Sequence, residues 1–288
     1  MTVINTNSAA TVTANALSRN ERAMATAMER LSTGQRINSA ADDAAGLAIS
    51  SKMTSQINGL NQAVRNANDA ISMIQTADGA AIEVTDMLQR MRELAVQAAT
   101  GTNTSADVTA LNTEFTALRS QIDDIASDTQ WNGSNLLDGS AGDYGKVTFQ
   151  VGANASQTID VNFRDWNLAA TGTATSWSSG SASDDALGAN ISALAVNTSG
   201  VITSLDSVIA EVNATRSEFG ATINRLEYAT DNLANVSQNA EASRSRILDT
   251  NYASESTELA RTQIIQQAAT AMLAQANSQK QSVLALLK

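Results

Sequence analysis

A hydrophobic heptad, sustained over most of the chain, is the feature that most constrains its fold. Ala10, Ala14, Leu17, Glu21, Met24, Met28 and Leu31 follow a strict four-three spacing in which only Glu21 is polar. The pattern resumes at Ile57, Leu60, Val64, Ala67, Ile71, Ile74, Asp78, Ala81, Thr85 and Leu88. It returns in Leu111, Phe115, Leu118, Ile122 and Ile125, and again from Val201 through Leu205, Val208, Val212, Thr215, Phe219, Thr222, Leu226, Ala229 and Leu233 to Val236. A last stretch runs from about Leu259 through Ile265, Ala269, Met272 and Val283 to Leu286. Residues spaced this way share one face of a helix, and long runs of them predict helices packed at shallow angles in coiled-coil fashion. Proline, which would break such helices, is absent from all 288 residues. A helix of about 45 residues extends about 65–70 Å, so an elongated rod is expected. Thr104 and Asp107 have the spacing of a capping box and mark the start of the third helix.

The heptad fails between residues 129 and 200, where Gly, Ser, Thr, Asn and all three Trp collect. Val147, Phe149 and Val151 alternate with polar residues, as do Ile159, Val161 and Phe163, and the intervening GANASQT is turn-like. That pattern predicts a β-hairpin near 147–163. The low-complexity TGTATSWSSGSASDD that follows reads as part of an exposed loop near 165–195. The fold class expected is therefore mainly α: long coiled-coil-like helices from both chain ends, with a small β-hairpin region in the middle.

Composition narrows the function. With no Cys and no His, thiolate chemistry, disulfides, His-dependent triads and His-based zinc sites are excluded. Adjacent acids occur at Asp42–Asp43, Asp123–Asp124 and Asp184–Asp185, but neighbours in sequence do not share a helix face, which makes them poor acid–base dyads. Neither an enzyme nor a cofactor is expected. A net charge of −11 without a basic cluster argues against nucleic acid and anionic membranes, and no apolar run reaches the roughly 18 residues of a spanning helix. The first twenty residues lack the basic and apolar regions of a cleaved secretory signal. Asn154, Asn190 and Asn197 lie in Asn-x-Ser/Thr motifs, a pattern frequent by chance; O-glycans on Ser and Thr of 171–183 suit an exposed loop better.

Residues 31–50, LSTGQRINSAADDAAGLAIS, separate the first two helical runs. Gly34 interrupts the first helix. Ser39 and Asp42 have the S-x-x-D spacing of a capping box, so Asp42 is expected to cap the next helix, with Asp43 beside it at the positive end. Arg36 is left for a salt bridge between subunits or domains.

This same stretch, with NDAISMIQTADGA (68–80), MLQRMRELAVQAA (87–99), WNGSNLLDG (131–139), FQVGANA (149–155), LEYATDNLAN (226–235), SRILDTNYASESTELARTQIIQQAATAMLAQAN (245–277) and SVLALLK (282–288), closely resembles the bacterial flagellin family. The resemblance covers most of the chain outside about 165–195. It implies a terminal coiled-coil domain, residues 1–40 with 245–288, forming the core of a filament. It also implies a helical rod domain, residues 41–180 with 181–244, carrying the hairpin; the space before Val201 leaves no room for the large outer domains of long flagellins. The function implied is a structural subunit that self-assembles into the flagellar filament, the helical propeller for swimming. The alternatives are a hook–filament junction protein, which shares the terminal pattern, and a secreted coiled-coil ligand or adhesin that does not polymerise.

Further expectations follow from the resemblance. The partners are other copies of the chain, hook-associated and cap proteins, the flagellar export apparatus and an export chaperone. Localisation is extracellular, in the flagellum, without a cleaved signal peptide. The hairpin resembles the switch between two protofilament packings. Leu88, Gln89, Arg90 and Leu94, with Glu114, match the site by which a flagellin-sensing Toll-like receptor recognises monomers. The polymerisation residues expected are Leu17, Met24, Met28, Leu31, Arg36, Asp42, Asp43, Ile265, Met272, Val283, Leu284, Leu286 and Leu287. The two ends are apolar but thin, and isolated helices are marginal in water, so they are expected to order on assembly.

Overall fold

A computed structural model describes residues 7–166 and 200–285. The chain is mainly α. Its elements are helices α1 (Ser8–Thr33), α2 (Ala44–Ala98) and α3 (Ser105–Asp128), strands β1 (Gln130–Trp131), β2 (Ser134–Asn135), β3 (Lys146–Gln150) and β4 (Thr158–Asn162), and helices α4 (Val201–Leu248) and α5 (Tyr252–Ala285). The chain forms two compact units. One, outer in the sequence, comprises residues up to 57 together with those from 238 on; the other, inner in the sequence, comprises 58–237.

The inner unit holds the larger core. Along α2, Ala67, Ala70, Ala77, Ala81, Ala95 and Ala98 bury small side chains, and small residues let helices approach closely. Bulk comes from Ile74, Leu88, Met91 and Leu94 on α2, Phe115 and Ile122 on α3, and Leu205, Val212 and Phe219 on α4. The heptad positions Val201 to Leu233 of α4 point inward as the spacing predicts, with Val208 and Leu226 among them. The inward stripe then moves by one residue, to Ser237 instead of Val236. A straight helix has 3.6 residues per turn against the 3.5 of a heptad, and the difference accumulates along 48 residues.

The predicted hairpin is present. β3 and β4 pair antiparallel, with Val147 opposite Val161 and Phe149 opposite Ile159. Ile159 and Val161 face the core, and Phe163, just beyond β4, packs on Phe219 with ring centroids 5.6 Å apart. On the outer face, Asp160 accepts a hydrogen bond from Thr148 and pairs with Lys146, both at 2.8 Å. Before β3 the chain turns through Gly142 in a left-handed conformation, where a Cβ would meet the Lys146 carbonyl oxygen at 2.3 Å. The capping box at Thr104 and Asp107 closes in both directions.

In the outer unit α1 and α5 pair antiparallel. Asn7 donates to the carbonyl of Ala276, Asn20 to the carbonyl of Thr262, and Arg30 pairs with Glu255. The two joints are stitched side by side. Gly34, left-handed at φ 71°, ends α1; Arg36 N–H donates to the Leu248 carbonyl and Thr250 N–H to the Gly34 carbonyl.

Candidate functional site

The stripe by which α1 meets α5 departs from the expected one. Two four-three phasings share Ala10, Leu17, Met24 and Leu31. The more apolar of them adds Ala14, Glu21 and Met28; the buried and half-buried residues instead add Thr13, Asn20 and Ala27. On α5 the matching stripe is Leu259, Thr262, Gln266, Ala269, Leu273 and Ala276, not Ile265 and Met272. Among the described residues of the two helices only Asn20, Ala27 and Thr262 are fully buried. The centre of this seam is thus a polar rung: Asn20 Nδ2 lies 2.7 Å from the Thr262 carbonyl oxygen. Its sequence signal is an Asn at heptad spacing from Leu17 and Met24, hidden by the greater apolarity of the neighbouring phase.

The expected assembly residues therefore separate into two groups. Leu17, Met24 and Leu31 are half-buried against α5 of the same chain. Met28, Ile265 and Met272 face outward, in the company of Val12, Ile49, Tyr252 and Ile264; Ile264 is 66 % exposed. The side chains of Val283 and Leu284, and all of Leu286 and Leu287, lie outside the described residues, as do Asn190, Asn197 and the stretch 171–183.

At the joint the two acids divide their work differently from the spacing. Asp43, not Asp42, caps α2: its carboxylate accepts from Gly46 N–H at 2.8 Å, and its carbonyl accepts from Leu47 N–H. Asp42 closes the preceding turn by accepting from the backbone N–H groups of Ser39 and Asn38 and from the Ser39 hydroxyl. The Ser39 backbone bond, above all, holds the Asp42 carboxyl below the usual carboxylate range. A capping box needs a helix between its two residues, and Ser39 to Asp42 is a turn instead. The Arg36 guanidinium donates to the Ile247 carbonyl at 2.9 Å rather than to a carboxylate, so it stitches the two joints of one chain.

In the inner unit Leu88 and Leu94 are buried in the core, while Gln89 and Arg90 face outward. Arg90 bridges to Glu93 within α2 and to Glu114 on α3, both at 2.9 Å, and these bonds raise its pKa above the ordinary arginine value. Arg92 pairs with Asp206 on α4 and holds that carboxyl below its usual range. Among the described residues no cluster of acids, His or Cys has the arrangement of a metal site, and no helix is long and apolar enough to cross a membrane.

Long helices whose pairing leaves apolar rows outward define a mainly α, coiled-coil-like chain. Comparison with known proteins narrows the class. The bacterial flagellin N-terminal helical region matches residues 4–142, and the bacterial flagellin C-terminal helical region matches 202–287. The chain is 45 % identical over 268 residues to the flagellin of Halalkalibacterium halodurans, covering 91 % of each chain. It is 42 % identical over 302 residues to the flagellin of Bacillus subtilis strain 168, covering 99 % of each. Among solved structures, a putative flagellar hook-associated protein from Vibrio parahaemolyticus shares the fold, with a TM-score of 0.55 and 15 % identity over 72 % of this chain and all of that one. The chain belongs to the bacterial flagellin family. It is a structural subunit of the extracellular flagellar filament, in the short form that lacks large outer domains.

Proposed function

We propose that the outward apolar rows of α1 and α5 are the surface by which one subunit meets the next. The observation that supports this reading is the phase of the α1–α5 seam. The larger, more apolar residues Met28, Ile264, Ile265 and Met272 are left in solvent while Asn20 and Thr262 are buried. Burying one such side chain is worth about 1.5–3 kcal/mol, so a chain that exposes a row of them gains by polymerising. A pair buried at so few positions is weak alone, in keeping with ends that order fully only on assembly.

On this reading residues 1–40 with 245–288 act as the filament-core domain and 41–244 as the helical rod domain. Arg36, Asp42 and Asp43 act by fixing the joint where α1 ends and α5 begins. Replacing Ile265 and Met272 together by Asp leaves the α1–α5 seam untouched and is expected to abolish seeded polymerisation, read by sedimentation. Filaments at the parental yield would overturn the assignment. Deleting residues 283–288 is expected to have the same effect with the inner unit still folded.

Export without a cleaved signal, binding to an export chaperone and contact with hook-associated and cap proteins are proposed from family membership. So is a packing switch in the hairpin. Receptor recognition through Gln89, Arg90 and Glu114 is proposed because Gln89 and the Arg90–Glu114 pair stand outward, whereas Leu88 and Leu94 support them from the core. Arg90→Ala is expected to lower activation of a flagellin-sensing Toll-like receptor in a reporter assay; unchanged activation would refute that role.

A further inference from the structure

We propose that Met28 and Met272 are a pair of oxidant-sensitive modification sites that turn off the assembly of free subunits. The inference rests on the assembly surface proposed above. The chain has eight methionines and no cysteine, so thioethers are its first targets for two-electron oxidants. Met1 lies outside the described residues. Of the other seven, Met91 and Met73 are buried in the inner unit, and Met24, Met53 and Met87 are half-buried. Only Met28 and Met272 are exposed, at 51 % and 61 %. Both are in the outer unit, one on each helix of the terminal pair. They sit toward opposite ends of that pair, Met28 beside the Arg30–Glu255 rung and Met272 beside the Asn7–Ala276 rung.

The chemistry is balanced with hydrogen peroxide as oxidant. The thioether sulfur attacks one peroxide oxygen, the O–O bond breaks, an S–O bond forms, and the second oxygen leaves as water. The sulfur loses two electrons and becomes a sulfoxide; the peroxide is reduced. A sulfoxide is polar and strongly hydrated. It keeps the helix pairing of the same chain, because neither residue is in the α1–α5 seam, but it places a polar group on the rows that assembly covers. Two methionine sulfoxide reductases, one for each sulfoxide epimer, reverse the change with electrons from a dithiol, the oxygen leaving as water. The subunit is thus sensitive while free and protected once packed.

The test uses the full-length chain, as monomer and as seeded polymer, treated with dilute hydrogen peroxide. Peptide mass mapping follows the gain of one oxygen at each methionine. In the monomer Met28 and Met272 are expected to oxidise first. The critical concentration for polymerisation then rises at least about tenfold for each site, the loss of one buried apolar side chain. Treating the oxidised monomer with the reductases for both sulfoxide epimers and dithiothreitol restores it. In Met28→Leu/Met272→Leu, peroxide leaves polymerisation at that variant's own untreated level. If both sites oxidise and the critical concentration does not change, the inference is overturned, even with both methionines protected in the polymer. If both oxidise as fast in the polymer as in the monomer, the assembly surface itself is misassigned.

Discussion

Asn20→Asp tests the phase of the terminal seam with a change of almost no volume. In the parent, the Asn20 amide donates to the Thr262 carbonyl at 2.7 Å, with Asn20 8 % and Thr262 1 % exposed. The carboxylate of the variant has no proton to donate and turns an oxygen toward the carbonyl lone pairs. The lost hydrogen bond costs about 1 kcal/mol. The desolvated charge costs more, and its neighbour Arg261 is already held by Glu258. The low end of the range for an uncompensated buried charge, about 3 kcal/mol, is appropriate in a seam of only two helices. Since about 1.4 kcal/mol is tenfold, the critical concentration should rise about a hundredfold at pH 7.

The sign of the pH dependence follows. Burial beside a carbonyl raises the carboxyl above its unfolded value of about 3.9. The protonated acid can donate to Thr262, so the variant matches the parent below that unfolded value and loses ground as pH rises through the raised one. The assay is sedimentation of seeded polymer at a series of pH values, always as the difference from the parent. Asn20→Leu is the control, with a smaller deficit independent of pH. A variant Asn20→Asp that polymerises like the parent at pH 7, or whose deficit is the same at every pH, refutes the buried rung.

Other perturbations test the inner unit. Phe219→Ala removes a side chain that is 1 % exposed and packed at a tilt against Phe163, and should cost about 3–5 kcal/mol in urea unfolding followed by tryptophan fluorescence, Trp131 and Trp166 being in this unit; a loss below about 1 kcal/mol would contradict the packing. Gly142→Ala should destabilise the β3–β4 region markedly, because the residue is left-handed and the new Cβ meets the Lys146 carbonyl; amide exchange in β3 reads it, and unchanged protection would show that the turn can relax. Thr104→Ala should cost about 1 kcal/mol of α3 stability by circular dichroism. The Thr104 hydroxyl and backbone bonds hold the Asp107 carboxyl below its usual range, so the parent's capping contribution is present above about pH 4 and fades as pH falls through the depressed value; a parent α3 insensitive to acid would count against it.

Helix positions, the hairpin and the capping box at Thr104 were legible because each depends on local spacing. The inward face of the hairpin followed from alternation: Val147 and Phe149 on one strand and Ile159 and Val161 on the other share the face that packs on the core. The cap of α2 was legible only to within one residue. Asp42 and Asp43 are equally good acceptors, and the choice lies in how the chain turns from Asn38 to Asp42. Arg36 showed a charge available for pairing but not its partner, because the Ile247 carbonyl lies 211 positions away.

The sequence by itself determined that α1 and α5 are amphipathic helices, since heptad spacing and the absence of proline are properties of the chain alone. It did not determine which of two overlapping stripes each helix turns inward. Hydrophobicity favoured Ala14 and Met28 on one helix and Ile265 and Met272 on the other. The tertiary structure chose Asn20 and Thr262, because a buried amide is tolerated where a carbonyl on the facing helix accepts its proton, and that match exists only once the two helices are in register. The apolar stripe thereby remains outward on a subunit that forms filaments.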